Sequence, residues 1–266
     1  MAPTVLITGA SQGSGKAAAH LFAQNGYRVA LAARQPERLE HAAAEIRQVG
    51  QDAIAIPTDV GDRHQVEALV EKTLDHFGQL DVLVNNAGIC LTGPVENTTL
   101  DDWQQIINTN VWGYVYTIHA ALPHMLDRKA GTIVNVGSFG GKMPLPTMTA
   151  YCTSKYAVTG LTDSLRLELA PKGIHVAAVH PGVINSSFME RAQFRGQDAQ
   201  AEQQGRDRLQ SVLSSSFVSE PDDIAIAIWD AVSKKKSDVV VGVASVATEA
   251  YRLVPGLMQW ALGQAI

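Results

Sequence analysis

The feature that most restricts the fold is an apolar run that leads directly into a glycine-rich turn and then into a helical pattern. Residues 4–7 are β-branched or apolar, residues 8–15 contain three glycines, and residues 16–25 have the spacing of a helix. A second apolar run follows at residues 27–33. A strand, a glycine-rich turn, a helix and a second strand make up the βαβ unit whose helix N-terminus binds a pyrophosphate.

The turn itself has the spacing Gly-x-x-x-Gly-x-Gly. Glycines allow the backbone to approach phosphate groups, while exposed N–H groups and the helix dipole stabilise the negative charge. A tight turn without a ligand is the alternative, and the position between a strand and a helix favours the cofactor site. The predicted phosphate-binding residues are Gly9, Ser11, Gln12, Gly13, Ser14 and Gly15.

The residue after the second strand indicates which nucleotide is bound. An acidic side chain there would hydrogen-bond a free ribose 2′-hydroxyl, whereas a basic one would accept a 2′-phosphate. Here the strand ends at Ala33 and Arg34 follows, and a guanidinium can bind a phosphate through two hydrogen bonds. We therefore predict NADP(H) rather than NAD(H); the alternative is that Arg34 is a solvated residue after a strand.

Strand and helix patterns alternate along the rest of the chain. The 266 residues contain no Gly/Ser-rich or Pro-rich linker, so residues 1–266 are expected to form a single domain. The alternation predicts an α/β fold, a doubly wound parallel sheet of about seven strands with helices on both faces. The further strands are predicted at residues 53–57, 80–84, 132–136, 174–179 and 239–243.

Ligands bind such sheets at the carboxyl ends of the strands. Asn85 and Asn86 follow the fourth strand, where their amides either brace loops beside a cofactor or form turns. The helical stretch 99–128 is predicted to be interrupted near Asn110, because an asparagine inside a helix competes for backbone hydrogen bonds. The residues at carboxyl strand ends are Gly9, Asp59, Asn86, Ser138 and Pro181.

Tyr151 and Lys155 lie four residues apart at the start of a helical pattern that continues to residue 169. At that spacing the two side chains share one helix face. A phenol ordinarily titrates near pKa ~10, and an ammonium group beside it favours the phenolate and lowers its pKa. The pair is therefore predicted to exchange a proton with a substrate oxygen. The alternative is a surface lysine beside a half-buried tyrosine.

Composition argues against several classes of protein. The net charge of −5 is spread along the chain and gives no reason to expect nucleic acid as a partner. Two cysteines make no disulfide framework, the N-terminus has no signal-peptide pattern, and no apolar run reaches the ~20 residues of a membrane span. We therefore expect a cytoplasmic protein that acts on a small molecule.

Taken together, these residues resemble the short-chain dehydrogenase/reductase family. The resemblance extends from about residue 4 to residue 243 and depends on the order and spacing of short motifs. It implies a Rossmann fold and an oxidoreductase. The matching stretches are TGASQGSG at 8–15, DV at 59–60, NNAG at 85–88, Asn110, Ser138, YCTSK at 151–155 and PG at 181–182.

The resemblance also implies individual roles. Tyr151 would be the proton donor or acceptor, and Ser138 would hydrogen-bond the substrate oxygen. Lys155 would lower the pKa of Tyr151 and bind the nicotinamide ribose, while Asn110 would hold the helix kink and a water that relays protons to Lys155. The implied cofactor contacts outside the glycine-rich turn are Arg34, Asp59, Val60, Asn86, Ala87, Gly88, Tyr151, Lys155, Pro181, Gly182, Ile184 and Ser186.

Two positions depart from the family pattern. Ser14 stands where an apolar residue is usual, so it either loosens the packing of the first helix or adds a phosphate contact. Ser186 stands where threonine is usual, and its hydroxyl is still expected to reach the cofactor.

The resulting expectation is an NADPH-dependent carbonyl reductase that acts on a ketone or aldehyde and forms a homo-oligomer, a tetramer or a dimer, without a metal. One alternative is an NADP-linked alcohol or hydroxysteroid dehydrogenase that works oxidatively. The other is a non-catalytic NADP-binding sensor, which is disfavoured because Ser138, Tyr151 and Lys155 are all present.

Specificity is expected to depend on three segments. The polar segment 185–217 is predicted to be a substrate lid, with a solvated loop as the alternative. The apolar segment 245–266, interrupted by Pro255 and Gly256, is expected to form two short helices that cover the lid or a neighbouring subunit. The alternatives are packing on its own domain and contact with a membrane surface, which is the weakest because Arg252 is the one basic residue of the segment. The residues predicted to line an apolar pocket, or to pack beneath the helix, are Phe139, Met143, Leu145 and Met148.

Three further residues near the predicted site are expected to be bystanders. Cys90 and Cys152 are predicted to be unreactive thiols, and His180 is predicted to pack at a strand end rather than to act as an acid or base.

Overall fold

The computed structural model of this chain describes residues 1–185, 188, 192–213 and 218–264. Within these residues the strands are β1 (Thr4–Thr8), β2 (Arg28–Ala33), β3 (Ala53–Pro57), β4 (Val82–Asn85), β5 (Leu91–Thr92), β6 (Gly131–Val136), β7 (Ile174–His180), β8 (Gln193–Phe194) and β9 (Asp238–Val240). The helices are α1 (Gly13–Gln24), α2 (Pro36–Gln48), α3 (Arg63–Phe77), α4 (Leu100–Ile107), α5 (Gly113–Arg128), α6 (Thr149–Leu169), α7 (Ala199–Leu213), α8 (Pro221–Ser233), α9 (Ala244–Leu253) and α10 (Pro255–Gly263).

One parallel sheet organises the fold. Seven strands lie in the order β3–β2–β1–β4–β6–β7–β9, which confirms the predicted α/β architecture. The chain winds outward in one direction from β1 and in the other from β4, and these two strands are neighbours, with Val5 opposite Val82. In sheets of this type a ligand binds beyond the carboxyl ends of the strands at such a switch point.

Helices cover both faces of the sheet, and this explains why β1 is apolar throughout. Val5 and Ile7 pack on the side of α1, α2 and α8. Leu6 points to the opposite face and packs with residues of α3 and α5. Because successive side chains of a strand point to opposite faces, a strand covered on both sides has a continuous apolar sequence rather than an alternating one.

The structure differs from the sequence-based prediction in several strands, and it agrees on the interruption of one helix. The last strand, predicted at 239–243, is Asp238–Val240, and Gly242 turns the chain with φ +71°. The pair β5–β8 was not predicted, since two-residue strands have no measurable periodicity. The predicted interruption near Asn110 is a π-helical turn, Asn108–Trp112, between α4 and α5.

The C-terminal segment forms two helices, α9 and α10, as the interruption at Pro255 predicts. Several of their apolar side chains are exposed, among them Leu253 and Leu257. The side chain of Trp260 is also exposed, with an exposed fraction of 65%. None of the described helices is both long enough and apolar enough to cross a membrane.

Candidate active site

A cleft runs along the carboxyl edge of the sheet, across the switch point between β1 and β4. Its volume is about 650 Å³, within the ~300–1,000 Å³ typical of small-molecule sites. The sequence-predicted residues that line it are Gly9, Ser11, Gln12, Gly13, Ser14, Arg34, Asp59, Val60, Asn86, Ala87, Gly88, Ser138, Tyr151, Lys155, Pro181, Gly182 and Ile184.

The glycine-rich turn is so tightly folded that two of its glycines cannot be replaced by a larger residue unless neighbouring atoms move. Gly9 has φ +68°, a conformation that strains residues with a Cβ atom. A Cβ atom on Gly15 would lie 2.3 Å from the carbonyl oxygen of Gly9. This close approach places the N-terminus of α1, at Gly13, in the wall of the cleft, where its N–H groups and dipole favour an anion. The turn therefore fits a dinucleotide pyrophosphate.

Asn86 braces this turn from the neighbouring strand. Its Nδ2 donates to the carbonyl oxygens of Thr8, at 3.0 Å, and Gly9, at 3.3 Å. Its Oδ1 accepts from the Ser14 hydroxyl at 3.2 Å, so the serine that departs from the family pattern ties α1 to β4. The Thr8 hydroxyl accepts from the backbone N–H groups of Asn86 and Ala87, both at 3.0 Å. Of the two alternatives for Asn86, the structure has the bracing one.

Arginine side chains lie at the far end of the cleft, beyond β2. Arg34 is exposed and lines the cleft. Arg38, in the first turn of α2, donates from Nη1 to the side chain of Gln12 at 3.2 Å. Asp59 lines the cleft as well, and its carboxylate accepts from the backbone N–H of Gly61 at 2.9 Å. This end of the cleft is therefore polar, and its lining includes an exposed guanidinium.

The π-helical turn buries Asn110 behind the cleft. Its Oδ1 accepts from the backbone N–H of Ile89 at 2.9 Å, and its Nδ2 donates to the Ile89 carbonyl and to the Ser154 hydroxyl, both at 3.0 Å. Asn110 thus ties the loop after β4 to α6. The amide is already bonded to the protein, and the proposed water relay through Asn110 stays a prediction.

Ser138 and Tyr151 both line the cleft. Ser138 follows β6 in an extended conformation, and its hydroxyl accepts from the Gly140 N–H at 3.1 Å. The Ser138 hydroxyl is also close enough to the Tyr151 phenol to influence its pKa. Tyr151 stands in the first turn of α6, with 6% of its surface exposed. Two neighbouring hydroxyl groups that line one cleft can both reach one substrate oxygen.

The pKa of Tyr151 is shifted in the direction opposite to the sequence-based prediction. Burial raises the pKa of the phenol above its ordinary value, and the neighbouring Ser138 hydroxyl offsets the effect only in part. The prediction of a lowered pKa is wrong for the chain without ligands, because the Lys155 ammonium is directed elsewhere and lies 5.9 Å from the centre of the Tyr151 ring. The phenol is therefore protonated at neutral pH.

Lys155 is held by the carbonyl oxygen of Val136, at the end of β6. Its Nζ donates to that oxygen at 3.0 Å, and the Tyr114 hydroxyl donates to the same oxygen at 2.9 Å. The Tyr114 ring centre is 5.6 Å from Nζ, within the range of a cation–π contact. Only 3% of Lys155 is exposed, and burial lowers its pKa to about 8. Lys155 is thus the ionisable group of the cleft whose charge changes closest to neutral pH.

His180 lies directly beneath Ser138 at the end of β7 and is fully buried. Its Nδ1 is 3.2 Å from the Ser138 carbonyl oxygen, and its Nε2 is 3.5 Å from the carboxylate of Asp238. Burial lowers its pKa to about 4. A neutral, packed imidazole supports the prediction that His180 is a strand-end packing residue.

The end of the cleft around Tyr151 is apolar. Cys90, Ala192 and Phe194 form a buried cluster with Tyr151, and Met148 and Phe188 pack against it. Burial raises the pKa of the Cys90 thiol to about 12 and also raises that of Cys152, so both remain thiols at neutral pH. The predicted pocket residues that line the cleft are Phe139, Leu145 and Met148.

Several predicted residues lie elsewhere. Gly15 and Asn110 are packed behind the cleft wall rather than in it. Met143 is buried and does not line the cleft. Ser186 lies outside the described residues. Within the described residues, no group of three His, Cys, Asp or Glu side chains is arranged to hold a metal ion.

Sequence reasoning missed three side chains that support the site. Thr8 precedes the glycine-rich turn and contacts the loop after β4, Tyr114 shares an acceptor with Lys155, and Ser154 bonds Asn110. Each contact joins segments more than forty residues apart or passes through a backbone carbonyl, so no local pattern reveals it, although Thr8 and Ser154 do lie within the matching stretches 8–15 and 151–155.

Comparison with known proteins gives consistent results. The family model for short chain dehydrogenases matches residues 3–198. A 3-oxoacyl-acyl-carrier-protein reductase of Staphylococcus aureus is 39% identical over 191 residues, which cover 71% of this chain and 78% of that protein.

Solved structures agree in fold and differ in the nucleotide they hold. A short chain dehydrogenase/reductase of Burkholderia phymatum in complex with NAD has a TM-score of 0.88 at 26% identity, covering 96% of this chain and 95% of that one. An alcohol dehydrogenase of Thermococcus sibiricus complexed with 5-hydroxy-NADP has a TM-score of 0.76 at 26% identity, covering 90% of this chain and 96% of that one. Proteins of this fold therefore hold either kind of nucleotide.

Proposed function

This chain belongs to the short-chain dehydrogenase/reductase family, and we propose that it is an NADPH-dependent reductase of ketones or aldehydes. The observation that carries this proposal is the pair of neighbouring hydroxyl groups of Ser138 and Tyr151, which line a cleft that continues to the glycine-rich turn and Arg34. A nucleotide bound along that cleft would have its phosphates at the turn and its reactive end beside Tyr151.

The residues of the cleft are suited to the proton half of the reaction. Bound NADPH would supply the hydride that forms the new C–H bond at the carbonyl carbon. Ser138 would donate a hydrogen bond to the carbonyl oxygen and polarise it. Tyr151 would transfer its phenolic proton to the same oxygen, which gives the alcohol and leaves a phenolate. Lys155 would stabilise the phenolate by its positive charge.

The protonation of Tyr151 favours reduction over oxidation. A proton donor must carry its proton before the reaction, and burial keeps the phenol protonated at neutral pH. An enzyme that oxidises an alcohol would need the phenolate instead. The Staphylococcus aureus relative, which is a reductase, supports the same direction.

The choice of NADPH over NADH rests on Arg34. Its exposed guanidinium lines the cleft immediately after β2, where a ribose 2′-substituent is expected. Solved relatives hold either NAD or an NADP derivative, so this chain's own residue is the stronger argument. The nicotinamide end of the nucleotide would be contacted by residues that follow β7, namely Pro181, Gly182 and Ile184.

Purified protein incubated with NADPH and a panel of carbonyl compounds tests the proposal. The panel contains aliphatic ketones and aldehydes of increasing length, aromatic ketones and charged keto acids, and the reduced nicotinamide absorbance is followed. We expect NADPH consumption with the apolar carbonyls, slower consumption with the keto acids, and much slower consumption with NADH. Absence of consumption with every carbonyl, or a preference for NADH, would contradict the proposal.

A further inference from the structure

The two-residue strands β5 and β8 attach a distant segment of chain to the loop beside the active site. The Gln193 N–H donates to the Cys90 carbonyl, and the Arg195 N–H donates to the Thr92 carbonyl, both at 2.9 Å. We call residues 192–195 the strap. A pair of strands this short is marginal by itself, so the attachment needs a further source of stability.

An ion pair between Arg195 and Asp102 supplies it. The Nε and Nη2 atoms of Arg195 donate to the two carboxylate oxygens of Asp102, the first at 2.9 Å. Asp102 is 5% exposed, and the hydrogen bond from Arg195 is the main reason that its pKa is lowered to about 2. A two-pronged Arg–carboxylate pair fixes orientation as well as position, and Asp102 is itself fixed because it caps α4 through Thr99.

The strap lies directly on the backbone of the loop that receives it. A Cβ atom at Gly93 would be 2.3 Å from the Arg195 carbonyl oxygen, so only a glycine allows this approach. The Gly93 N–H donates to the Thr147 carbonyl at 2.7 Å, which fixes the receiving loop to the segment before α6. The strap, the loop after β4 and the start of α6 therefore form one connected unit.

The strap packs behind the apolar surface that lines the cleft beside Tyr151. Ala192 and Phe194 are buried with Cys90 and Tyr151, and they do not line the cleft themselves. On its other side the Phe194 ring supports α7, where a Cβ atom at Gly205 would lie 3.1 Å from it. We call the surface of Cys90, Met148 and Phe188, which lines the cleft and packs with the strap, the apolar wall. An apolar substrate group gains most affinity from a wall that is already ordered, since ordering it during binding reduces the affinity.

We propose that the Arg195–Asp102 ion pair is a positioning element that holds the apolar wall against Tyr151, and that it thereby selects carbonyl compounds with an extended apolar substituent. This inference rests on the proposed function. Neither residue touches the reacting atoms; they act through Ala192 and Phe194.

The test compares Arg195→Ala, Arg195→Lys and Asp102→Asn with the unaltered protein. Kinetics with NADPH are measured for two ketones, one with a short and one with a long alkyl chain. Loss of charge-assisted hydrogen bonds typically weakens an interaction by roughly 10- to 100-fold. We expect KM for the long ketone to rise about tenfold in Arg195→Ala and Asp102→Asn, with kcat and the affinity for NADPH nearly unchanged. Arg195→Lys keeps the charge without the planar fork, so its effect should be intermediate.

The matched control is Arg128→Ala. Arg128 also forms an ion pair with an aspartate, Asp81, at 2.8 Å, and it is as exposed as Arg195 but lies away from the cleft. The Arg128→Ala variant should leave the ratio of KM for the long ketone to KM for the short ketone unaltered. Hydrogen exchange of residues 192–195 gives an independent readout, because the amides of Gln193 and Arg195 should exchange faster in Arg195→Ala and not in Arg128→Ala.

An unchanged KM ratio in Arg195→Ala and Asp102→Asn would overturn the proposal. So would a parallel loss of kcat and NADPH affinity, which would indicate general damage to the fold. Failure of the proposed function has a different signature, namely no NADPH consumption by the unaltered protein with any carbonyl. The exchange measurement needs no turnover, and equal exchange in the unaltered protein and Arg195→Ala would reject the positioning role in that case as well.

Discussion

The two ends of the cleft are built in different ways. The end that we propose binds the nucleotide is built around one local turn: Gly9 and Gly15 approach each other because neither has a side chain, and the N-terminus of α1 lies beside them. The carbonyl end consists of buried side chains from distant parts of the sequence. Arg195 and Asp102, which support it, are 93 residues apart.

This difference shows how two demands are separated within one cleft. A pyrophosphate has the same shape in every complex, so a short local motif can encode its site. Substrates vary among relatives of one fold, and segments such as 192–195, which we propose support the carbonyl end, can change without altering the turn. If the two ends are independent, substitutions at one end should leave the function of the other intact.

The largest effect should follow from Tyr151→Phe, at the carbonyl end. The substitution keeps the ring and removes the proton that the carbonyl oxygen must receive. A positioned acid typically accelerates a reaction by ~10²–10⁴-fold, so kcat should fall by that order while the Kd of NADPH, measured by fluorescence titration, hardly changes.

Tyr156→Phe is the matched control, since Tyr156 lies on the same helix but is exposed and outside the cleft. Near-normal turnover in Tyr151→Phe would show that the proton comes from another group. A large loss of NADPH affinity would show instead that the two ends are coupled.

Arg34→Ala should have the next largest effect, confined to the nucleotide end. Charge-assisted hydrogen bonds contribute about 1.5–3 kcal/mol, so the Kd of NADPH should rise roughly 10- to 100-fold. The Kd of NADH should hardly change, because NADH has no 2′-phosphate.

The control is Arg63→Ala, which removes an exposed arginine that is bonded to Glu67 outside the cleft. This variant should leave the affinities for NADPH and for NADH unchanged. Equal weakening of NADPH and NADH by Arg34→Ala would mean that Arg34 supports the loop rather than the phosphate.

The smallest effect concerns pH and should arise from Lys155. Burial lowers its pKa to about 8 in the chain without ligands, so the ammonium is present below that pH and is lost as the pH rises through it. The value of kcat/KM for NADPH reports groups of the free enzyme. It should be level near neutrality and fall roughly tenfold per pH unit well above 8.

The same alkaline decrease should remain in Arg34→Ala, because arginine keeps its charge over this range. A profile that stays flat to pH ~10 would show that the charge of Lys155 does not limit nucleotide capture or turnover.

The sequence predicted the nucleotide end better than the carbonyl end, and the reason is the range of the interactions. The parallel, doubly wound sheet, the glycine-rich turn and the positions of Ser138, Tyr151 and Lys155 follow from short patterns in chain order. The strap was missed because β8 is two residues long and because Asp102, the partner of Arg195, lies 93 residues away in the chain.

The error in the pKa of Tyr151 has a related cause. Sequence spacing correctly placed Lys155 one turn from Tyr151, but it gave no information on the depth of burial or on the acceptor that Lys155 would find. The Val136 carbonyl takes the ammonium instead, and desolvation then determines the pKa of the phenol. A pair of residues on one helix face is therefore insufficient to predict how either one titrates.

The π-helical turn at Asn108–Trp112 also sets the rotational phase of everything that follows it. Beyond this turn, Thr117 donates to Asn85 at 2.6 Å and Tyr114 faces β6, while Trp112 is exposed. Deleting one residue here would restore an uninterrupted α-helix, but it would turn α5 by roughly 100° about its axis. Thr117 and Tyr114 would then rotate off the sheet. The packing of α5 on the sheet therefore depends on the length of this segment to within one residue.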